Sequence, residues 1–301
     1  MKLTILGCYS ATPRRFINPT SQVLEIKNHI FLIDCGEGTQ IQIRRQKIKF
    51  SRIKHIFISH LHGDHFFGLP GLITTFQLLG RENELHIYGP KGLKKAMLLL
   101  LELGNSRTSY PLIFHELTSK ERELLLEDEK VTVSTIPLFH RIYTNGFLFR
   151  EKPGERRLNI EEVSKYNIDT ACYRNIKSGK DITLESGEIL PNARLTSDPP
   201  RPKSYAFCSD TGYHPAIIPH IKDVDVLYHE STFLEEHIHL AEKTGHSTAK
   251  QAAEIARQAN VKTLILGHYS TRYNHLHGFV KEAGEIFENV LPAGDGKVFE
   301  F

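Results

Sequence analysis

The residue pattern of this 301-residue chain predicts a mixed α/β (α+β) fold around a single core. Short apolar runs bounded by turn residues recur from end to end, and helical patterns separate several of them. Neither an internal repeat nor a low-complexity tract interrupts the alternation. The composition agrees. With 40% hydrophobic and 24% charged residues, 21 Gly and 14 Pro, it excludes a disordered tail, a collagen-like fibre and a coiled-coil rod. No stretch approaches the roughly 18 unbroken apolar residues of a membrane helix, so no partnership with a membrane is expected.

The first strand is expected at residues 2–7. The segment MKLTILGCYSA has a faint lipobox look ending at Cys8, but its apolar run is short of the roughly 7–15 residues of a signal core. Further strands are expected at 21–26, 29–34, 53–59, 85–88, 131–137, 204–209, 224–228 and 263–267. Pro90 and Gly92 open a helical run to about Leu103. Ser247 reads as the N-cap of a helix over 248–258, where Ala249, Ala252, Ala253 and Ala256 recur at helical spacing and Asn260 marks the stop. Another helix is expected over 278–289. Between about 149 and 203 the hydrophobic period fades, and EKPGERR and SDPPRPK accumulate charge, Gly and Pro. This stretch reads as an arm inserted into one domain spanning 1–301.

The formal charge of +3 is mild, so any nucleic-acid binding must rest on local patches. Short basic runs occur at Arg14–Arg15, at Arg44–Arg45 with Lys47 and Lys49, at Arg156–Arg157, and at Arg201 with Lys203; each taken alone reads as a solvated face. The four cysteines (Cys8, Cys35, Cys172, Cys208) form no C-x-x-C pair, which fits a reduced cytoplasmic protein better than a disulfide scaffold or a thiolate zinc site. Cys208 reads as a small buried hydrophobe. Histidine is abundant, with 17 residues.

The segment SHLHGDHFFGLPG (59–71) is the decisive one. His60, His62, Asp64 and His65 form H-x-H-x-D-H directly after an apolar run. A strand alternates its faces and cannot aim all four one way, whereas a loop capping the strand can, with Gly63 and Gly68 supplying turn freedom. Imidazole and carboxylate without thiolate suit zinc or manganese. His140, Asp210, Glu230 and His268 each close another apolar run, where open α/β sheets place ligand crevices. Asp34 also ends a strand and reads either as a partner of a ligand histidine or as a turn residue. His237, His239, His275 and His277 read as surface residues.

The chain resembles the metallo-β-lactamase superfamily and, within it, the ribonuclease Z family of tRNA 3′-processing endonucleases. The matching segments are NPTSQ (18–22), FLIDCGEGTQ (31–40), SHLHGDHFFGLPG, SDTGY (209–213), HEST (229–232), GHST (245–248) and GHYSTRY (267–273). The H-x-H-x-D-H loop marks only the superfamily. The GLPG extension, DCGEGTQ and the HEST and GHST pair point to ribonuclease Z. The resemblance implies a four-layer αββα sandwich with a protruding arm, binding two Zn2+ per subunit, with Mn2+ as the alternative. It assigns His60, His62 and His140 to one ion and Asp64, His65 and His268 to the other, with Asp210 bridging. It gives Asp64 the general base's role, and Glu230 with His246 the proton for the leaving ribose oxygen. Arg15, Asn18 and Arg272 become candidate substrate-binding residues, precursor tRNA the partner, and a cytoplasmic homodimer the assembly. The reaction implied is removal of the 3′ trailer by hydroxide attack, leaving a tRNA 3′-hydroxyl.

Two segments depart from the family pattern. The arm's SKYNIDTACYRNIKSG (164–179) lacks the usual Gly-Pro pair. The family's P-x-K-x-R-N loop appears as PRRFIN (13–18): Pro13 and Asn18 match, Arg15 replaces Lys and Ile17 replaces Arg, so weaker discrimination against mature CCA ends is expected. The altered arm supports a competing reading as a small-molecule phosphodiesterase or other ester hydrolase on the same scaffold. A non-catalytic RNA-binding or structural zinc protein is a third reading, opposed by the absence of thiolates from the motif.

Overall fold

Strand residues alternate between two apolar surfaces, and that alternation stacks the chain into layers. The computed structural model describes residues 1–12 and 14–301, which divide into a unit of Met1–Arg150 with Lys203–Phe301 and a second unit, Glu151–Pro202.

In the first unit, β1 (Lys2–Gly7), β2 (Ser21–Ile26), β3 (His29–Ile33), β4 (Ile53–Phe57), β5 (Leu85–Pro90) and β6 (Leu112–Leu117) lie side by side in chain order. The first three pair antiparallel, and β3 to β6 run parallel. A second mixed sheet follows, again in chain order: β7 (Leu124–Glu127), β8 (Val131–Pro137), β9 (Asn145–Glu151), β10 (Ser204–Cys208), β11 (Val226–Glu230), β12 (Thr263–Gly267) and β13 (Val290–Pro292). The last strand, β14 (Val298–Glu300), returns to pair with β1.

The two sheets share one core. Phe31 and Phe57 from the first meet Phe149 and Phe147 from the second at ring-centroid distances of 5.3 Å for each pair. Their alternate neighbours Leu32, Ile56 and Ile58 face the other way, under Ile73, Phe76 and Met97 of the helices Leu69–Leu78 and Leu93–Leu103. On the second sheet the helix Ala249–Gln258 turns Ala252, Ala253 and Ala256 into the core and packs on β11 and β12. The result is the expected αββα layering. Each fully buried aromatic contributes about 1.5–3 kcal/mol relative to an exposed one.

Several boundaries differ from the sequence reading, for local reasons. β4 stops at Phe57, because the Ser59 amide donates to the Asp34 carboxylate at 2.7 Å and leaves the ladder. Pro90 completes β5, so the following helix starts at Leu93. The last long helix is capped by Thr248, one residue later than expected: Thr248 Oγ1 accepts from the Gln251 amide, and Gln251 Oε1 accepts in return. The helix expected over 278–289 is His277–Gly284, since Val290 already belongs to β13. β6, β7, β13 and β14, half-exposed edge strands or only three residues long, escaped the sequence reading, as did β9, a mostly buried strand that runs across the expected start of the arm at about 149.

The second unit has its own small core of Val163, Ile168, Ile176, Leu190 and Leu195. Asn159 and Asp169 cap its short helices, and the buried Asn192 amide donates to the Ile176 and Lys180 carbonyls.

Candidate metal centre

The chain leaves β4 through His60 and His62, makes the short helix Gly63–Phe66, and then folds tightly back on the 34–36 segment. A Cβ at Gly68 would lie 2.0 Å from the Gly36 carbonyl oxygen, so only glycine permits this approach. Asp34, Asp210 and His268 follow the ends of β3, β10 and β12 with φ of 55°, 51° and 57°. Left-handed backbone at three non-glycine residues is unusual, and all three lie in one buried polar cluster.

Oxygen acceptors then fix which ring nitrogen of each histidine carries its proton. The Ser59 hydroxyl donates to Asp34 Oδ2 at 2.8 Å, so Ser59 Oγ accepts from His60 Nδ1, 3.0 Å away. Asp34 Oδ2 also accepts from His65 Nδ1 at 2.7 Å. The Thr232 hydroxyl donates to Glu230 Oε2 at 2.6 Å and so accepts from His268 Nδ1 at 2.9 Å. His140 Nδ1 donates to the Gly245 carbonyl at 2.8 Å. In all four histidines the proton is held at Nδ1, and Nε2 is the atom turned inward.

Those inward atoms converge. His60 Nε2 lies 2.9 Å from His62 Nδ1, which lies 3.4 Å from His140 Nε2. Asp210 faces two ways: Oδ2 is 3.5 Å from His60 Nε2 and 4.0 Å from His140 Nε2, while Oδ1 is 3.1 Å from both His65 Nε2 and His268 Nε2. Asp64 Oδ2 completes the second group, 3.4 Å from His65 Nε2 and 3.5 Å from His268 Nε2. The residues therefore gather as His60, His62, His140 and Asp210 on one side and Asp64, His65 and His268 on the other.

The electrostatics favour cations at this point. Burial pushes the His60, His62 and His140 imidazoles below their ordinary range, which keeps their lone pairs free. Burial opposes charge on Asp64 and Asp210 as well, yet neighbouring imidazoles hold both carboxyls below the usual range. Around His65 the Asp210, Asp64 and Asp34 carboxylates overcome burial and draw positive charge to the ring. The buried Nε2 atoms of His65 and His268 have no hydrogen-bond partner among the described residues. Donors of this kind, aimed at one another and otherwise unsatisfied, fit two divalent cations sharing Asp210.

Glu230 sits beside this group and plays a different part. It is fully buried, and its oxygens accept from the Thr211 and Thr232 amides, the Thr232 hydroxyl and His246 Nδ1 at 2.7 Å. Against its own burial, the Glu230 carboxylate pushes the His246 imidazole up to about 9. His246 lines, with Asp64, Asp210, His268 and Arg141, a cleft of ≈ 400 Å³ that opens over the cluster.

None of the three candidate substrate-binding residues is among the grouped metal-ligating side chains. Arg15 is exposed, with its guanidinium 4.5 Å over the Phe16 ring, and Arg272 is exposed as well. Asn18 is turned inward: its backbone and side-chain nitrogens both donate to Asp295 Oδ2 at 2.7 Å, anchoring the loop. Pro13 of the same loop lies outside the described residues. Sequence reasoning missed Ser59, Thr232 and the Gly245 carbonyl as orienting groups, although Ser59 and Thr232 stand in the SHLHGDH and HEST segments themselves. It also missed Arg141, which nothing but adjacency to His140 would flag.

Comparison with known proteins gives this geometry its context. The chain is 47% identical over 291 residues to a ribonuclease Z of Porphyromonas gingivalis, covering 97% of this chain and 96% of the relative. A ribonuclease Z of Parabacteroides distasonis is also 47% identical, covering 98% and 97%. The chain belongs to the ribonuclease Z family. Among solved structures, human tRNase Z, short form, superposes with a TM-score of 0.74 and 28% identity, covering 100% of this chain and 99% of that one. The metallo-β-lactamase fold protein YhfI from Bacillus subtilis, at 18% identity, 99% and 98% coverage and TM-score 0.69, shares the fold. A family model described as Anti-Pycsar protein Apyc1 matches residues 1–150 of this ribonuclease Z family member.

Proposed function

We propose that this ribonuclease Z family chain is a zinc-dependent endoribonuclease that removes the 3′ trailer from precursor tRNA, leaving a tRNA 3′-hydroxyl. The observation that carries the reading is the two-faced Asp210 carboxylate between two ligand groups, in a chain nearly half identical to ribonucleases Z along almost its whole length. His60, His62 and His140 would hold one ion and Asp64, His65 and His268 the other, with Asp210 shared between them. Such a pair supplies an ionised water near neutral pH and offsets charge on the reacting phosphate.

The protein's own groups do the rest. Asp64 orients the attacking water and accepts its proton. Glu230, held by three protein donors besides His246, keeps the imidazole of His246 protonated, and His246 delivers that proton to the leaving ribose oxygen. Arg15 and Arg272 lie exposed for phosphate contacts, and the 149–203 segment is the arm that grips the tRNA. The assembly we propose is a cytoplasmic homodimer. Three of the four cysteines are buried, none is bridged, and no described helix is long and apolar enough to cross a membrane.

The small-molecule phosphodiesterase reading draws on the altered arm, whose SKYNIDTACYRNIKSG segment lacks the usual Gly-Pro pair. A trailer-bearing precursor decides between them. The purified protein should yield one tRNA and one trailer product, and Asp64→Ala should abolish both. Hydrolysis of bis(p-nitrophenyl) phosphate that precursor tRNA does not inhibit, with the precursor left intact, would overturn the proposal.

A further inference from the structure

The catalytic cleft does not end at the metal ligands. Arg141 lines both the cleft and a neighbouring groove of ≈ 450 Å³, and Lys120 and His214 are shared between that groove and a third depression of ≈ 460 Å³. The three hollows thus form a continuous series leading away from Asp210.

Basic residue types recur along it. Arg141 is the sole Arg or Lys among the described residues lining the cleft, and Lys120, Arg122, His214 and His220 line the hollows beyond. Glu121 is the single carboxylate among the described residues of the second and third hollows. Neither Lys120 nor Arg141 has a hydrogen-bonding or carboxylate partner among the described residues, so both cations are free for an anion. In the middle stands Phe139, its side chain 60% exposed and its ring 6.0 Å from that of His214. An exposed phenylalanine costs solubility, yet this one is held firmly. Its amide donates to Thr211 Oγ1 at 3.1 Å, its carbonyl accepts from Gly212 at 2.8 Å, and the ring lies over Gly212. The next residue is the ligand His140.

Free cations spaced along a channel, with an aromatic face presented between them, match the chemistry of a single nucleic-acid strand: phosphates pair with the cations and a base stacks on the ring. We propose that these hollows hold the single-stranded 3′ trailer of the RNA substrate, with Arg141 on the first phosphate beyond the cleavage point and Phe139 stacking a trailer base. This rests on the endoribonuclease reading above. The trailer is the better occupant than the tRNA body because stacking and phosphate pairing tolerate any sequence, and the track carries little carboxylate or amide chemistry for reading base edges.

The test compares precursors with trailers of one and of ten nucleotides. The wild type should show a KM about tenfold lower for the longer trailer, within the range of one stacked base plus a phosphate contact. Phe139→Ala and Lys120→Glu should each erase most of that gain while leaving the one-nucleotide precursor and bis(p-nitrophenyl) phosphate hydrolysis unchanged. Phe139→Tyr and Lys120→Arg should retain it. Equal wild-type KM for both trailers, or equal losses on both in the variants, would overturn the track and leave the endoribonuclease reading intact. A wild type that cleaves neither precursor overturns the endoribonuclease reading, and the track with it.

Discussion

Two histidine clusters flank β4, one beyond its C-terminal end and one across the first sheet's strands, and they are built differently. Beyond the C-terminal end of β4, the rings of His60, His62 and His140 stand nearly perpendicular, at 82° for His60 with His62 and 82° for His62 with His140. Across β4, β5 and β6, His55 stacks on His86 at 5.0 Å and 23°, and His86 on His115 at 5.3 Å and 18°. The perpendicular rings aim nitrogens at a shared point; the stacked rings share faces, and the close nitrogen contact between His86 Nδ1 and His115 Nε2, at 3.0 Å, is a pairwise hydrogen bond. The lower groove, lined by His29, His55 and His86, has ≈ 790 Å³ against ≈ 400 Å³ for the cleft, yet among the described residues its carboxylates pair one to one, Asp128 with His29 and Glu84 with His86, where Asp210 bridges several upper histidines. Volume and histidine count are therefore poor guides to the metal centre, and convergence is a good one.

The largest effect should come from breaking the convergence itself. Asp210→Asn removes the one anion common to both groups, and we expect precursor cleavage to fall by about three orders of magnitude or more, with bound metal reduced in elemental analysis. His86→Phe, in the stacked cluster, should change neither. Equal metal loss in both variants would erase the distinction.

The next effect concerns the proton. Glu230→Gln should lower kcat by about 10²- to 10³-fold, the usual worth of a positioned general acid. The pH profile gives the sharper readout. The His246 pKa is raised to about 9, so its acid form is present below that value and is lost as pH rises through it. Cationic metals nearby act in the opposite sense, so the wild-type profile should fall off at about pH 9 or below, and the variant's limb should move toward about 6.5. An unmoved alkaline limb in Glu230→Gln would show that another group carries the proton.

Smaller again is the loss of an orienting group. Asp34 holds both His65 and Ser59, and Ser59 in turn holds His60. Asp34→Ala should weaken metal retention by about 10- to 100-fold in a chelator competition without unfolding the sheet.

Much of this was legible in the sequence, for reasons that differ between parts. The runs of β1, β2 and β8 were read with their bounds intact because each is a short segment buried almost throughout. Strand-end polar residues pointed to the cluster because a site that could hold metal draws one group from each of several elements. Asp34 stood open between partner and turn residue, and it turns out to be both: it bonds His65 at a φ of 55°. What stayed hidden was pairing across distance. Nothing in GHST announces that the Gly245 carbonyl orients His140, a hundred residues earlier. The stacked ladder was equally invisible, since His29, His55, His86 and His115 are scattered over four strands and only the register gathers them.

That ladder supplies the smallest effect, one on stability alone. Burial, with smaller contributions from His86, His29, His115 and Lys54, lowers the His55 pKa from the ordinary 6.5 to about 4, and its buried Nδ1 has no hydrogen-bond partner among the described residues. The unfolded chain therefore takes up a proton at this residue before the folded one does. Stability is full above about pH 6.5 and is lost as pH falls toward 4, by something on the order of 2 kcal/mol once partial exposure is allowed for. Replacing the ring by an apolar one removes the titration and the unsatisfied nitrogen together. In urea titrations His55→Phe should match the wild type at pH 7 to within about 1 kcal/mol and exceed it at pH 4.5. Parallel acid-lability curves for the two proteins would mean that His55 is solvated, and the lower cluster would then be an open surface instead of a packed stack.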